Sequence, residues 1–360
     1  MIHASIAIRT VCVAVLFVLP AAAQEKSVPN DHAQSCYEKG LALLQEGKAK
    51  EAKLMFDEAS MDGHGDATNE LGKLYLTGNG VNQDAAKAAE LFGQSAAFGS
   101  VRGATNLGIS YKEGRGVAQD YKKAAEFLGR GADAGIAVAQ YQVAEMYFKG
   151  LGAETDYAKA FELYTKAANQ GIPQAQYIVG TYHLDGSAGT QEDPKLAVEW
   201  FVKAAQSRDP QILADIGRLL QDEDRPIYDA QGAVELLSVA AQAGNRDAQY
   251  YLGTLVYEGR GTKKDLATAV KLYDAAAAQG QAFACNALSV LYLNGEGVEK
   301  NPQRAYVFAE MAVDGGGSFD GTSFAKLTRI QAEKLMTPEQ LAEAKAAVER
   351  NRAAQKAAPK

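Results

Sequence analysis

From about residue 34 the apolar residues recur three and four positions apart, the spacing of a helix face, with no strand-like alternation. One arrangement returns seven times. A small residue that follows an apolar one stands at Gly72, Gly108, Ala144, Gly180, Gly217, Gly253 and Ser289, at spacings of 36, 36, 36, 37, 36 and 36. Three positions later come Tyr75, Tyr111, Tyr147, His183, Leu220, Val256 and Tyr292. In five of the seven a glycine pair follows, from Gly78-x-Gly80 to Gly295-x-Gly297, and then Asp84, Asp120, Asp156, Asp193, Asp229, Asp265 or Asn301. The small anchor allows two helices to approach closely, and the aromatic beside it is expected to fill the space between them. The glycines accept positive φ in a turn. Asp or Asn caps the next helix, and Pro194 and Pro302 sit at the first helical position, where no N–H is needed. That second helix carries an alanine column, Ala88 to Ala305, then large apolar pairs such as Leu91-Phe92, Leu163-Tyr164, Trp200-Phe201 and Leu272-Tyr273. Trp200, Leu163 and Tyr111 are expected to be stability residues. A two-helix unit held in register this long predicts a repeat array rather than two or three ordinary domains.

The stretches AQYYLGTLVYEGRGTKKDLATAVKLYDAAAAQG and ATNLGISYKEGRGVAQDYKKAAEFLGRGADAG resemble the Sel1-like repeat family of the tetratricopeptide superfamily, over roughly residues 66–316. The resemblance implies an all-α, right-handed superhelical α-solenoid of about eight helical hairpins. Seven are Sel1-like, at 66–101, 102–137, 138–173, 174–210, 211–246, 247–282 and 283–318. Gly40, Ala52, Phe56 and Ala59 mark residues 34–65 as a shorter, tetratricopeptide-like hairpin. Residues 319–360 form a C-terminal helical cap and tail, opened by the capping-box pattern Thr337-Pro338-Glu339-Gln340. The fifth Sel1-like unit departs from the pattern, with Glu223-Asp224-Arg225-Pro226 where glycines should stand. The unit before it has one extra residue near Gly186-Ser187-Ala188-Gly189 and ends in Ser207-Arg208-Asp209-Pro210 without a glycine. Drift at a tolerant loop and a specialised contact patch both fit this departure.

The first 23 residues read as a signal peptide: His3 and Arg9, an apolar run from Val11 to Leu19, Pro20, then Ala21-Ala22-Ala23. A run of nine apolar residues falls short of the ~20 that span a bilayer. Cys12 lies within the run, so a lipid anchor is not expected. Residues 24–33 read as a flexible N-terminal segment. Lys plus Arg number 37 against 44 acidic residues, a formal net charge of −7, which argues against a nucleic-acid binder. Export would permit a disulfide, yet the remaining cysteines, Cys36 and Cys285, lie near opposite ends of the array and are expected to be free or buried thiols.

Little chemistry is expected. His32 lies in the presumed flexible start, His64 in a turn, and His183 replaces the packing tyrosine of its repeat, so no metal and no cofactor are assigned. The glycine loops recur as turns and match no phosphate-binding motif. A cysteine-rich group of secreted Sel1-like proteins is associated with β-lactam binding or hydrolysis, and Ser323-Phe324-Ala325-Lys326 matches the S-x-x-K tetrad of penicillin-recognising enzymes. The S-D-N and K-T-G companions, and the repeated cysteine pairs of that group, are missing. A weak β-lactamase-like enzyme is therefore the alternative, and a non-catalytic scaffold the expectation.

The resemblance implies partner binding along the groove formed by the first helices. Tetratricopeptide geometry places Tyr141, Tyr177 and Tyr250, three before the anchor, and Lys112, Phe148 and Tyr257, four after it, on the concave face. They serve either as contact anchors or merely as packing between repeats. The expected partner is a protein of envelope signalling, polysaccharide production or the host, met in the periplasm or outside the cell. The scaffold itself is expected to be a monomeric adaptor or regulator, with no nucleic acid bound and no membrane segment after signal cleavage.

Overall fold

The computed structural model describes residues 31–315 and 319–357, so the expected signal peptide and most of the expected flexible segment lie outside the described residues. These residues form eighteen α-helices and no strand. The chain divides into two compact units, one up to Ala134 and one from Gly135. The first holds the hairpins α1 (Asp31–Gln45) with α2 (Ala49–Met61), α3 (Gly65–Thr77) with α4 (Ala85–Ala97), and α5 (Val101–Glu113) with α6 (Tyr121–Asp133). The second continues with α7 (Ala137–Lys149), α8 (Tyr157–Asn169), α9 (Pro173–Asp185), α10 (Pro194–Ala205), α11 (Pro210–Leu220) and α12 (Ala230–Gln242). It ends with α13 (Arg246–Glu258), α14 (Leu266–Ala278), α15 (Ala282–Asn294), α16 (Pro302–Asp314), α17 (Phe319–Lys334) and α18 (Pro338–Ala357). The fold is thus all-α and built of helical hairpins, as the periodicity predicts.

Each second helix starts where an Asp or Asn was expected to cap it. The side chains of Asp84, Asp120, Asp156, Asp193, Asp229, Asp265 and Asn301 all accept a backbone N–H from the first turn. First helices end on a left-handed glycine, Gly78, Gly114, Gly150, Gly186, Gly259 or Gly295. The second glycine of the loop has another duty. A Cβ on Gly80 would lie 2.8 Å from the backbone carbon of Ala49, and one on Gly297 would lie 2.8 Å from the Leu266 Cβ. Gly116 and Gly261 meet the backbone of Ala85 and Ala230 more closely still. Every one of these loops therefore rests on the start of the preceding hairpin's second helix.

The small anchors do bring two helices together, but the ring they receive comes from elsewhere than expected. A Cβ on Gly72 would stand 2.6 Å from the Phe92 ring, one on Gly180 2.6 Å from Phe201, and one on Gly253 2.9 Å from Tyr273. These rings belong to the second helix and are almost fully buried. Of the aromatics three after the anchor, Tyr75, Tyr111 and Tyr147 stay half-buried at the rim, whereas Tyr292 is buried. Three of these rings meet cations of the second helix: Lys123 over Tyr111 at 5.1 Å, Lys159 over Tyr147 at 4.5 Å, and Arg304 over Tyr292 at 4.5 Å. Trp200 is buried, whereas Leu163 and Tyr111 are only half-buried.

The divergent loop after α11 is held by arginines instead of glycines. Arg225 donates to Asp185 of the hairpin before it at 3.0 Å. From the hairpin after it, Arg260 donates to the Gln221 carbonyl at 3.0 Å and to Glu223 at 3.3 Å. Arg208 takes the left-handed position that glycine holds elsewhere, at φ +55°. At the C-terminal end the capping box closes in both directions: Gln340 N donates to Thr337 Oγ1 at 3.3 Å, and Thr337 N donates to Gln340 Oε1 at 3.0 Å. Arg352 of α18 then binds Asp314 and Glu310 of α16. Cys36 and Cys285 are free and buried.

Candidate functional site

Phe148 and Tyr157 are two exposed aromatic rings of the second unit. Phe148 stands in the last turn of α7 and is 44% exposed; Tyr157 is the first residue of α8, directly after its cap Asp156, and is 53% exposed. Their rings meet edge to face at 5.5 Å. Behind them opens a cavity of about 520 Å³ whose walls include Tyr164, Ile178, Tyr182 and Ala188. Ala188 lies in the loop lengthened by the extra residue, at φ +54°, so the insertion supplies part of one wall.

Tyr182 gives this cavity a polar feature. Its side chain is buried, and its hydroxyl has no hydrogen-bond partner. Burial pushes that hydroxyl's pKa up, as it does for Tyr141 and Tyr164 nearby, so all three remain neutral donors at neutral pH. An unsatisfied buried hydroxyl costs about 1–3 kcal/mol and is recovered when an acceptor arrives. The combination suits an incoming apolar side chain accompanied by one hydrogen-bond acceptor.

The three tyrosines ahead of the anchor share one geometry. Tyr141 packs on Tyr164 at 5.7 Å, Tyr177 on Phe201 at 5.8 Å and Tyr250 on Tyr273 at 6.0 Å, in each case a ring of the same hairpin's second helix. All three are half-buried. Tyr141 and Phe148 thus converge on Tyr164, while Tyr177 lies in the next hairpin. Tyr250 borders a different cavity, of about 750 Å³, lined by the charged Arg218, Glu223, Glu258 and Arg260. Tyr257 is engaged: its hydroxyl donates to Glu296 Oε2 at 2.7 Å, and Lys264 lies over its ring. Lys112 is half-buried on α5, in the first unit.

Sequence reasoning named Phe148 and missed Tyr157 and Tyr182. A signal for Tyr157 existed, since the position after the cap holds Ala85, Pro194, Ala230, Leu266 and Pro302 in other hairpins, and Tyr121 alone matches it. Ser323 and Lys326 stand exposed on α17, beside the buried Ala325. No described helix is long and apolar enough to cross a membrane.

No curated protein matches the chain. Among solved structures, a Sel1 repeat protein from Oxalobacter formigenes is 28% identical, with a TM-score of 0.58 over 82% of this chain and 86% of the other. A protective antigen of uropathogenic Escherichia coli strains, described as displaying an SLR fold, is 26% identical, with a TM-score of 0.54 over 88% of this chain and 76% of the other. The Sel1 repeat model matches residues 65–99, 101–136, 137–172, 173–209, 246–281 and 282–317. The matched segments bracket the same glycine-ended first helices and Asp- or Asn-capped second helices that build the hairpins, and they take in most of the described chain. The chain therefore belongs to the Sel1 repeat family.

Proposed function

We propose that this protein is an exported, non-catalytic scaffold that captures a protein partner in the aromatic cavity of α7, α8 and α9. The observation that carries the reading is the pair of exposed rings, Phe148 and Tyr157, over a cavity whose Tyr182 hydroxyl lacks a partner. Aromatic anchors that desolvate on contact dominate interface energetics. Tyr141, seated on Tyr164, extends the surface, and the charged cavity beside Tyr250 offers a second contact point. Residues 211–246, matched by no family repeat, are read as a degenerate Sel1-like unit, the fifth of seven, and residues 34–65 as a tetratricopeptide-like hairpin. Export rests on the pattern of the first 23 residues and draws support from the likeness to a protective antigen. The partner then belongs to the envelope or to a host.

Two measurements test this. Cell fractionation should find mature protein beginning near Gln24 outside the cytoplasm; a full-length cytoplasmic product would reject export. Pull-down from envelope extract, followed by mass spectrometry, should recover a partner with the wild-type protein. The double substitution Phe148→Ala and Tyr157→Ala should lose that partner, weakening binding by at least ~2 kcal/mol. Its thermal unfolding should change little, because both rings are about half exposed. An unaltered partner set would reject the cavity as the site.

A further inference from the structure

The first hairpin holds a constellation unrelated to the aromatic cavity. The structure starts α1 at Asp31, so His32 stands in the first helical turn rather than in a flexible segment. That placement brings Cys36, one turn later, to the same helix face, with the two side chains in contact: Cys36 Sγ lies 3.7 Å from His32 Nε2. From α2, Glu58 Oε1 reaches His32 Nε2 at 2.9 Å. The donor atoms of His32, Cys36 and Glu58 all lie within 4.8 Å of one another.

Those separations can be set against a tetrahedral zinc ion. Bonds of about 2.3 Å to sulfur, 2.05 Å to nitrogen and 2.1 Å to oxygen place the ligand atoms about 3.4–3.6 Å apart. The sulfur–nitrogen separation of 3.7 Å already fits. The nitrogen–oxygen separation of 2.9 Å needs to open by about half an ångström, within reach of one rotation of an exposed glutamate side chain. Thiolate, imidazole and carboxylate form the mixed donor set that zinc accepts, and a thiolate disfavours magnesium or calcium. We propose that His32, Cys36 and Glu58 bind one divalent ion of the zinc class, joining α1 to α2 and leaving one coordination position for water or an incoming group. On binding, the metal replaces the Cys36 thiol proton, which passes to solvent, and the imidazole coordinates in its neutral form. The buried thiol provides the inner ligand, while the exposed histidine and glutamate form the mouth through which the ion enters.

Cobalt(II) reports such a site optically, because a cobalt–thiolate bond gives a charge-transfer band in the near ultraviolet. Titrating the reduced full-length mature protein should raise that band to a plateau at one cobalt per chain, and added zinc should erase it. Cys36→Ser should abolish the band, and Cys285→Ser, the other buried thiol, should leave it intact. His32→Asn and Glu58→Gln, both at exposed positions that do not threaten folding, should each weaken cobalt binding at least tenfold. A flat titration would overturn the proposal. So would a band that survives Cys36→Ser or is unchanged by both His32→Asn and Glu58→Gln.

Discussion

At the start of α3 a histidine does what serine, asparagine or glutamine does before α5, α13 and α15. His64 Nδ1 accepts the Ala67 N–H at 3.1 Å, so the ring's proton sits on Nε2, which donates to Gln34 Oε1 at 3.0 Å. Burial pushes the imidazole below its ordinary value of 6.5, against an opposing pull from Asp66. A base whose pKa falls on folding binds protons more readily in the unfolded chain. Its contribution is therefore complete above about pH 6.5 and declines as pH drops below that value. The protection factor of the Ala67 amide, the intrinsic exchange rate over the observed one at each pH, should fall as pH drops from about 7 to about 5, and His64→Asn, which keeps a capping oxygen, should flatten that dependence. Arg208 is a second local exception: a left-handed backbone costs a side-chain residue about 1 kcal/mol, so Arg208→Gly should leave thermal stability unchanged or raise it slightly, despite glycine's entropy cost. Tyr182→Phe separates stability from binding. Removing an unpartnered buried hydroxyl should raise the melting temperature or leave it unmoved, while partner affinity falls by about 1 kcal/mol. None of these three features stands out in a string of letters, because each depends on a backbone angle or on which neighbour a polar atom lacks.

At the scale of the helix pair, the anchors and caps were legible. Both are short-range devices, a small residue beneath a ring and a carboxylate two or three residues from the N–H it accepts, so each leaves a fixed offset within the repeat. The identity of the seated ring was less so, since the tyrosine next to the anchor in sequence is not the one next to it in space. Gly180→Ala tests the geometry directly. A methyl group 2.6 Å from the Phe201 ring forces the pair apart, at about 1–3 kcal/mol, read from denaturant unfolding. The same substitution at Gly93, where an added Cβ meets nothing within 4 Å, should instead be neutral or mildly stabilising. The contacts of the arginines that hold the divergent loop escaped notice for a simple reason. Arg225 reaches a residue 40 positions away and Arg260 one 37 positions away, so both interactions join different repeats and leave no mark within one.

For the molecule as a whole, hairpins that touch mainly their neighbours make stability a local property. Phe92→Ala, at a fully buried position of the first unit, should cost about 3–5 kcal/mol and raise hydrogen exchange in α3 to α5, leaving α13 to α16 protected as before. Protection lost evenly across both units would show a single cooperative array. The fold was readable almost throughout because it states itself seven times over. The aromatic cavity was not, because Phe148, Tyr157 and Tyr182 come from three successive helices and break the pattern rather than follow it. The loop glycines carry a consequence of another kind. Gly80, Gly116, Gly261 and Gly297 meet mainly main-chain atoms of the helix they rest on, and main chain is the same whatever the side chains are. Such a joint does not recognise its neighbour. A copied unit can be spliced in beside any other without a matching surface having to arise first, so arrays of this type can lengthen by duplication. Individual units are then free to differ, as residues 211–246 do, where arginines hold the loop instead.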